Sequence, residues 1–261
     1  GNVTYFNLAN RVTRLGKFFP LQLFQQVAPV AAELNARKEE NRLNELFFEA
    51  TKYLTVFSAP IFLYILIFAD LLINTWMGPG YEISVYLLRI LAFGQLVNLL
   101  ISAPGNSIIP NLGVPKYLMY EGIISLAVNL VLSFILIKYY GIVGAAIGTT
   151  AATLAASTYI YFTSAGYFKE NPLKFMFRSF LKPLGIAGAV CSVVYLIFHY
   201  TGKYFVISGD RITGIILITT TSAIFFLLYI ILLWKSGYLN NRDRENLFKM
   251  LRLINPLRKR Q

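Results

Sequence analysis

Apolar runs of membrane-crossing length alternate with short, mostly basic polar segments along most of this chain. A helix crosses the hydrocarbon layer with about 20 apolar residues, within a usual range of about 17 to 25. Tyr53 to Ala69 gives 17 residues without a charge, and Leu71, Leu72 and Ile73 carry its character past Asp70. Ile90 to Pro115 gives 26, and Gly122 to Ile137 gives 16, lengthened by Tyr117, Leu118 and Met119. Tyr139 to Phe168, Pro183 to Gly202 and Ile212 to Trp234 give 30, 20 and 23. Six spanning helices are predicted, so the fold class is all-α, a polytopic membrane helix bundle.

Polar and small residues inside these runs predict how the helices pack. Pro60 and Pro104 should kink their helices and free a backbone carbonyl, which a membrane tolerates only where protein or water satisfies it. Those spans are expected to border a cavity or to shape the bundle. Gly144, Gly148, Ala152 and Ala156 recur every fourth residue, a face on which helix backbones can approach closely. Thr219, Thr220, Thr221 and Ser222 are expected to hydrogen-bond carbonyls of their own helix or a neighbour. Cys191, the sole cysteine, reads as a buried inert thiol.

The first segment departs from the pattern. Residues 3–29 are long enough to cross but hold Arg11, Arg14 and Lys17. At about 100° per residue, with Arg11 at zero, Asn7, Arg14, Asn10 and Lys17 fall between about −40° and −120°. Leu8, Val12, Leu15, Phe19, Leu23 and Val27 fall between about +40° and +160°. A helix with one basic and one apolar face either lies flat in the headgroups or spans with its cations turned into a wet cavity, because a charge facing lipid costs at least about 2.5 kcal/mol.

Composition narrows the class. Only 14% of the 261 residues are charged and 56% are hydrophobic, against about 25% charged in soluble domains, and the aromatic content excludes disorder. The net charge of +12, from 24 Lys+Arg against 12 Asp+Glu, would otherwise point to nucleic acid. Its distribution says otherwise. Of the 24 basic residues, 17 sit in the 33–52 segment, at Lys116, in the 169–182 segment and in the 235–261 tail; 3 (Lys138, Lys203, Arg211) sit in the alternate connections. Lys and Arg gather on the cytoplasmic side, which puts 33–52 and the carboxy terminus there. Residues 240–261, with Leu247, Met250, Leu251 and Ile254 among cations, read as an amphipathic helix on the inner leaflet. Four basic residues, Arg11, Arg14, Lys17 and Arg89, are left inside the spans.

The strings from Tyr5 to Arg11 (YFNLANR), Phe19-Pro20, Ala28-Pro29 and Ala50 to Tyr53 resemble the eighth helix and following loop of the polysaccharide biosynthesis (oligosaccharide flippase) family. Tyr86 to Ala92 (YLLRILA) is similar to its tenth helix, and Asn129 to Lys138 with Tyr140 to Thr149 (YGIVGAAIGT) to its eleventh and twelfth. The likeness covers nearly the whole chain. It implies the multidrug, oligosaccharidyl-lipid and polysaccharide exporter superfamily, with fourteen helices in two lobes. Residues 1–239 would be the carboxy-terminal transmembrane lobe, about seven spans matching helices 8–14, followed by a basic amphipathic cytoplasmic tail at 240–261. An opening Gly1 in place of Met then reads as the start of a fragment whose amino-terminal lobe is missing, with residues 3–29 spanning.

The resemblance implies a flippase of the cytoplasmic membrane that moves polyprenyl-diphosphate-linked oligosaccharide for cell-surface polysaccharide synthesis. Its expected partners are the lipid-linked oligosaccharide, membrane lipids and the missing lobe, not nucleic acid. Guanidinium and ammonium groups pair with phosphate oxygens, so the expected substrate-binding residues are Arg11, Arg14 and Lys17 for the diphosphate and Asn7 and Asn10 for the sugars. Arg89 is either a cavity cation or a structural partner of Glu82, seven residues earlier on nearly the same face. Glu121 either titrates with a coupling ion, sodium or proton, or answers Lys116; His199 is expected at the outer end of its span. No catalytic residue, metal or cofactor is expected, since an enzyme would want acidic pairs or a His–acid constellation. A multidrug or peptidoglycan-precursor exporter and a non-transporting membrane scaffold stay open as alternatives.

Overall fold

Gly141 turns the chain back on itself. Its φ of 57° and ψ of −134° interrupt the helical stretch Lys116–Tyr167 in a region that suits glycine alone. Asn129 Nδ2 meets Thr149 Oγ1 at 3.4 Å across the turn, whereas twenty residues of straight helix would hold them about 30 Å apart. Residues 116–140 and 142–167 are therefore two antiparallel helices. The predicted seam closes them: a Cβ on Gly144 would strike the Leu136 carbonyl, and one on Gly148 would strike Ser133. Ala152 and Ala156 continue the buried face.

The computed structural model describes residues 2–24, 27–168, 177–206 and 211–238. Among these it contains helices and turns only: α1 Asn2–Phe24, α2 Val27–Ala36, α3 Glu40–Ile67, α4 Ala69–Met77, α5 Glu82–Leu112, α6 (116–140), α7 (142–167), α8 Lys182–Val206 and α9 Arg211–Lys235. All six apolar runs are helical. The predicted amphipathic tail at 240–261 lies outside the described residues.

The helices form a row. The α6–α7 hairpin packs on α5, α5 on α3, α3 on α8 and α8 on α9. Helix α3 is central and buries most of its apolar stretch, whereas the hairpin and α9 leave most of theirs on the outside. In lipid, such outer apolar faces cost nothing, and packing complementarity holds the inner ones. Tyr64 stacks on Phe68 with ring centroids 4.6 Å apart, and Phe198 of α8 meets Phe68 edge-on at 5.7 Å.

Helix α1 lies in the groove between α3 and α5. Ser84 Oγ donates to the Tyr5 carbonyl at 3.3 Å, while Lys17 shares a cavity with Gln95 and Asn98. Gly16 lies against Phe62 and Ile65 of α3, and Phe19 meets Phe57 at 5.9 Å. Helix α1 thus runs parallel to α5 and antiparallel to α3 through the same layer. At about 1.5 Å per residue its 23 residues reach about 34 Å, enough to cross. Lying side by side with α3 and α5 is what the spanning arrangement requires of this helix.

Two expectations about the second span change. The helix starts at Glu40, well before the apolar run, and it breaks at Phe68 (φ −96°, ψ 22°). The residues from Asp70 to Ile73 therefore belong to α4, where Asp70 occupies the first turn, favourable against the helix dipole. Pro60 sits inside α3 without ending it. The carbonyl that its missing N–H leaves free, at Val56, accepts the Tyr229 hydroxyl of α9 at 3.1 Å. The Thr219 to Ser222 hydroxyls donate back to carbonyls of their own helix, as expected, and Thr221 also meets the Tyr64 hydroxyl at 2.9 Å.

Candidate functional site

A π-helical turn at Asn98–Ser102 organises the polar centre of the bundle. Pro104 has no N–H to give its helix, and the Ala103 N–H bonds Asn98 O, five residues back, so the turn widens. Asn98 Nδ2 then reaches Ser157 Oγ on α7 at 3.1 Å, and Ser102 Oγ reaches Glu121 Oε1 on α6 at 3.1 Å. Asn106, one turn later, donates to the same Glu121 oxygen at 3.0 Å and to Ser102 Oγ at 2.9 Å.

Beside this network is a cavity of about 350 Å³ at the junction of α1, α5, α6 and α7. Lys17 lines it from α1, Gln95 and Asn98 from α5, Glu121 and Ser125 from α6, and Thr153 from α7. Ligand pockets start near this size, about 300 Å³. Lys17 and Glu121 face the same space without forming an ion pair. The cavity thus offers one cation, one carboxylate, two carboxamides and two hydroxyls inside a membrane bundle, where such groups mark substrate or ion pathways.

Of the predicted site residues, Lys17 alone lines this cavity. Arg11 places its guanidinium 5.6 Å from the Trp76 ring centroid, a cation–π contact with α4. Arg14 and Asn7 are exposed, and Asn10 is half-buried, its carbonyl accepting Thr13 Oγ at 2.9 Å. The basic face of α1 is therefore continuous in sequence but divided in space: Arg11 meets α4, Arg14 is open, and Lys17 faces the cavity.

Two expected pairings are corrected. Arg89 pairs with Asp70, not Glu82, and its Nε donates to the Leu66 carbonyl at 3.2 Å. The break at Phe68 brings Asp70 and the Leu66 carbonyl closer to Arg89 than Glu82, which lies two turns away on the same helix. Glu82 instead accepts the Gly80 N–H at 3.2 Å. Glu121 faces Ser102 and Asn106 rather than Lys116, whose ammonium lies 5.4 Å from the Tyr117 ring centroid. Glu121 sits in the second turn of α6, with its carboxylate toward α5.

Cys191 is buried, its thiol directed at the Leu63 carbonyl at 3.7 Å. His199 is exposed between Tyr195 and Tyr200. Among the described residues no three His, Cys, Asp or Glu side chains come together as a metal site.

The sequence pattern of the MatE family matches residues 2–135, just over half of the 261. The chain belongs to the MatE family. This MatE chain is 27% identical over 160 residues to the "probable low-salt glycan biosynthesis flippase Agl15" of Haloferax volcanii, covering 61% of this chain and 34% of that protein. Its fold resembles part of the "Lipid II flippase MurJ, inward closed conformation", with a TM-score of 0.67 at 16% identity over 90% of this chain and 48% of that one. The chain thus spans about a third of one relative and half of the other. The MatE match agrees with the exporter superfamily that the sequence resembles.

Gln95, Asn98, Ser125 and Thr153 were not singled out from the sequence. The signal was present: Gln95 and Asn98 sit three apart, and Glu121 and Ser125 four apart, in otherwise apolar runs, spacings that share a helix face.

Proposed function

We propose that this chain is the carboxy-terminal lobe of a flippase that moves polyprenyl-diphosphate-linked oligosaccharide across the cytoplasmic membrane for cell-surface polysaccharide synthesis. The observation that carries this reading is Lys17 on the wall of a polar, partly open cavity between apolar helices. A diphosphate carries at least two negative charges, and an ammonium held in low dielectric attracts it strongly. Arg14 follows one turn before Lys17 on α1 and is open to solvent, so an anion leaving Lys17 has a further exposed cation beside it, while Arg11 packs toward α4. Asn7 and Asn10 flank that path with neutral amides. Residues 1–239 then form the transmembrane lobe, 240–261 a basic cytoplasmic tail, and the amino-terminal lobe completes the translocation path. The flippase names of the relatives support transport rather than catalysis.

A second reading, a related exporter of cationic compounds, draws on Glu121, a carboxylate in the same cavity. Its Oε1 is already held by Ser102 and Asn106, which favours a fixed structural acceptor over a cation trap. The deciding experiment uses the full-length protein in proteoliposomes with fluorescent polyprenyl-diphosphate oligosaccharide. Movement between leaflets should occur in the wild type and stop when Arg11, Arg14 and Lys17 are all changed to Gln. Undiminished movement by a correctly folded triple variant overturns the assignment.

A further inference from the structure

Three lysines meet at one end of the bundle. Lys52 stands just before the apolar run of α3, Lys182 opens α8 and Lys235 closes α9. Trp234, exposed beside Lys235, sets this level at the headgroups, where Trp and Tyr gather. The chain leaves α9 through a tight turn in which Gly237 has a φ of 68° and its N–H bonds the Trp234 carbonyl at 3.1 Å, a glycine helix end. Contacts from three segments fix that turn. The Tyr238 hydroxyl donates to the Ser179 carbonyl at 2.8 Å, in the π-helical turn Phe177–Leu181 that leads into α8. The Lys182 ammonium donates to the Ser236 carbonyl at 3.5 Å, and the Lys52 ammonium lies 5.1 Å from the Tyr238 ring centroid. Tyr238 also packs against the apolar cluster of Val56, Ala187 and Leu233, from α3, α8 and α9.

This arrangement leaves positive charge to spare. An ammonium has three donors, so Lys182 keeps two, and Lys235 is exposed with no hydrogen bond or ion pair among the described residues. Glu49, one turn before Lys52 on α3, offsets one of the three cations. Lysines that only mark a membrane face extend freely to the headgroups. Here two of the three are held against a turn that is itself tied to α3, α8 and α9, and groups fixed in advance bind with less ordering cost. The occupant must be an anion with phosphate-like oxygens, at headgroup depth, beside the exposed Ile231 and Leu232 of α9. An anionic phospholipid meets all three conditions. We infer that the turn 236–238, with Lys52, Lys182 and Lys235, binds the phosphate of an anionic phospholipid and so ties α3, α8 and α9 to one leaflet. The site shares no residue with the Lys17 cavity, so it stands apart from the transport reading.

The test is equilibrium binding of fluorescent phosphatidylglycerol and phosphatidylcholine to the full-length protein in a neutral detergent at low ionic strength. The wild type should bind phosphatidylglycerol about 25-fold more tightly, about fivefold for each of two net charges. Lys182→Gln with Lys235→Gln, both at exposed positions, should erase most of that preference and leave phosphatidylcholine binding unchanged. Lys138→Gln, at the far end of α6, should change neither. Tyr238→Phe keeps the ring and every charge but releases the Ser179 carbonyl, and should weaken phosphatidylglycerol binding about fivefold, the yield of one net hydrogen bond. Excess inorganic phosphate should not displace the lipid. Equal wild-type affinities for the two lipids, a preference that survives the double lysine change, or full displacement by inorganic phosphate overturns the inference. So does a preference that Tyr238→Phe leaves untouched or that Lys138→Gln lowers equally, because loose surface charge would then account for the binding.

Discussion

The Tyr229 hydroxyl donates to the Val56 carbonyl at 3.1 Å, and that carbonyl needs a donor because Pro60, four residues on, has none. A defect written into α3 is repaired by α9, more than 150 residues later. Both side chains are buried, and no water in the hydrocarbon layer can substitute.

Tyr229→Phe should therefore lower stability by about 1–3 kcal/mol, the cost of stranding a buried acceptor. Pro60→Ala supplies an N–H for Val56 from within α3. In that background the loss from Tyr229→Phe should shrink to well under half. Thermal unfolding of the four combinations in one detergent measures the coupling, and equal losses in both backgrounds would show that the bond carries no weight.

Arg89 fastens the break between α3 and α4 through Asp70 and the Leu66 carbonyl. Both charged side chains are partly exposed, so the ion pair itself should contribute only about 0–1 kcal/mol. Asp70→Asn is expected to be mild. Arg89→Gln, which also removes the charge-assisted bond to Leu66, should cost more, about 1.5–3 kcal/mol. If the residue acts only as this clamp, the loss appears in melting temperature while substrate affinity in the folded fraction is unchanged.

Gly144 tolerates no side chain, because its Cβ would overlap the Leu136 backbone, which cannot rotate away. Gly144→Val should separate α6 from α7 at a cost of about 1–3 kcal/mol or more and reduce the yield of folded protein. Gly122→Ala, on the open side of α6, should be neutral or slightly stabilising, since Ala is the better helix former by about 1 kcal/mol. Parallel expression and melting of the two variants compares close packing with open wall.

The hairpin places Lys138 and Lys116 at opposite ends of α6. Single cysteines at those positions should react with a membrane-impermeant maleimide from opposite sides of an oriented membrane. Within these residues background labelling should be low, because Cys191 is buried and is the sole thiol of the 261. Labelling of both from one side would dismiss α6 as a span.

Much of the bundle was legible because a lipid solvent imposes a strong rule: runs of about 20 apolar residues must be helical and must cross. The six runs, the small-residue seam and the self-bonding Thr219 to Ser222 stretch all follow from local sequence. The site was less legible because it depends on register between helices. Arg11, Arg14 and Lys17 share one face of α1 by periodicity, yet only the packing of α1 against α4 and α5 gives Arg11 to Trp76 and Lys17 to the cavity. The partners of Arg89 and Glu121 follow the same rule: local spacing points to Glu82 and Lys116 on their own helices, whereas the bundle supplies Asp70 and Ser102 from others.

The sequence by itself determined the class of protein, the positions of its spans and the basic character of its first helix, since each depends on chemistry within about 20 residues. Tertiary structure decided that this helix lies among the spanning ones, that Pro104 opens a π-helical turn toward Glu121, and that Lys17 meets Gln95, Glu121 and Ser125 around one cavity. Those residues come from three helices. Hydropathy says that helices pack, but only the shapes of their surfaces choose which side chains meet.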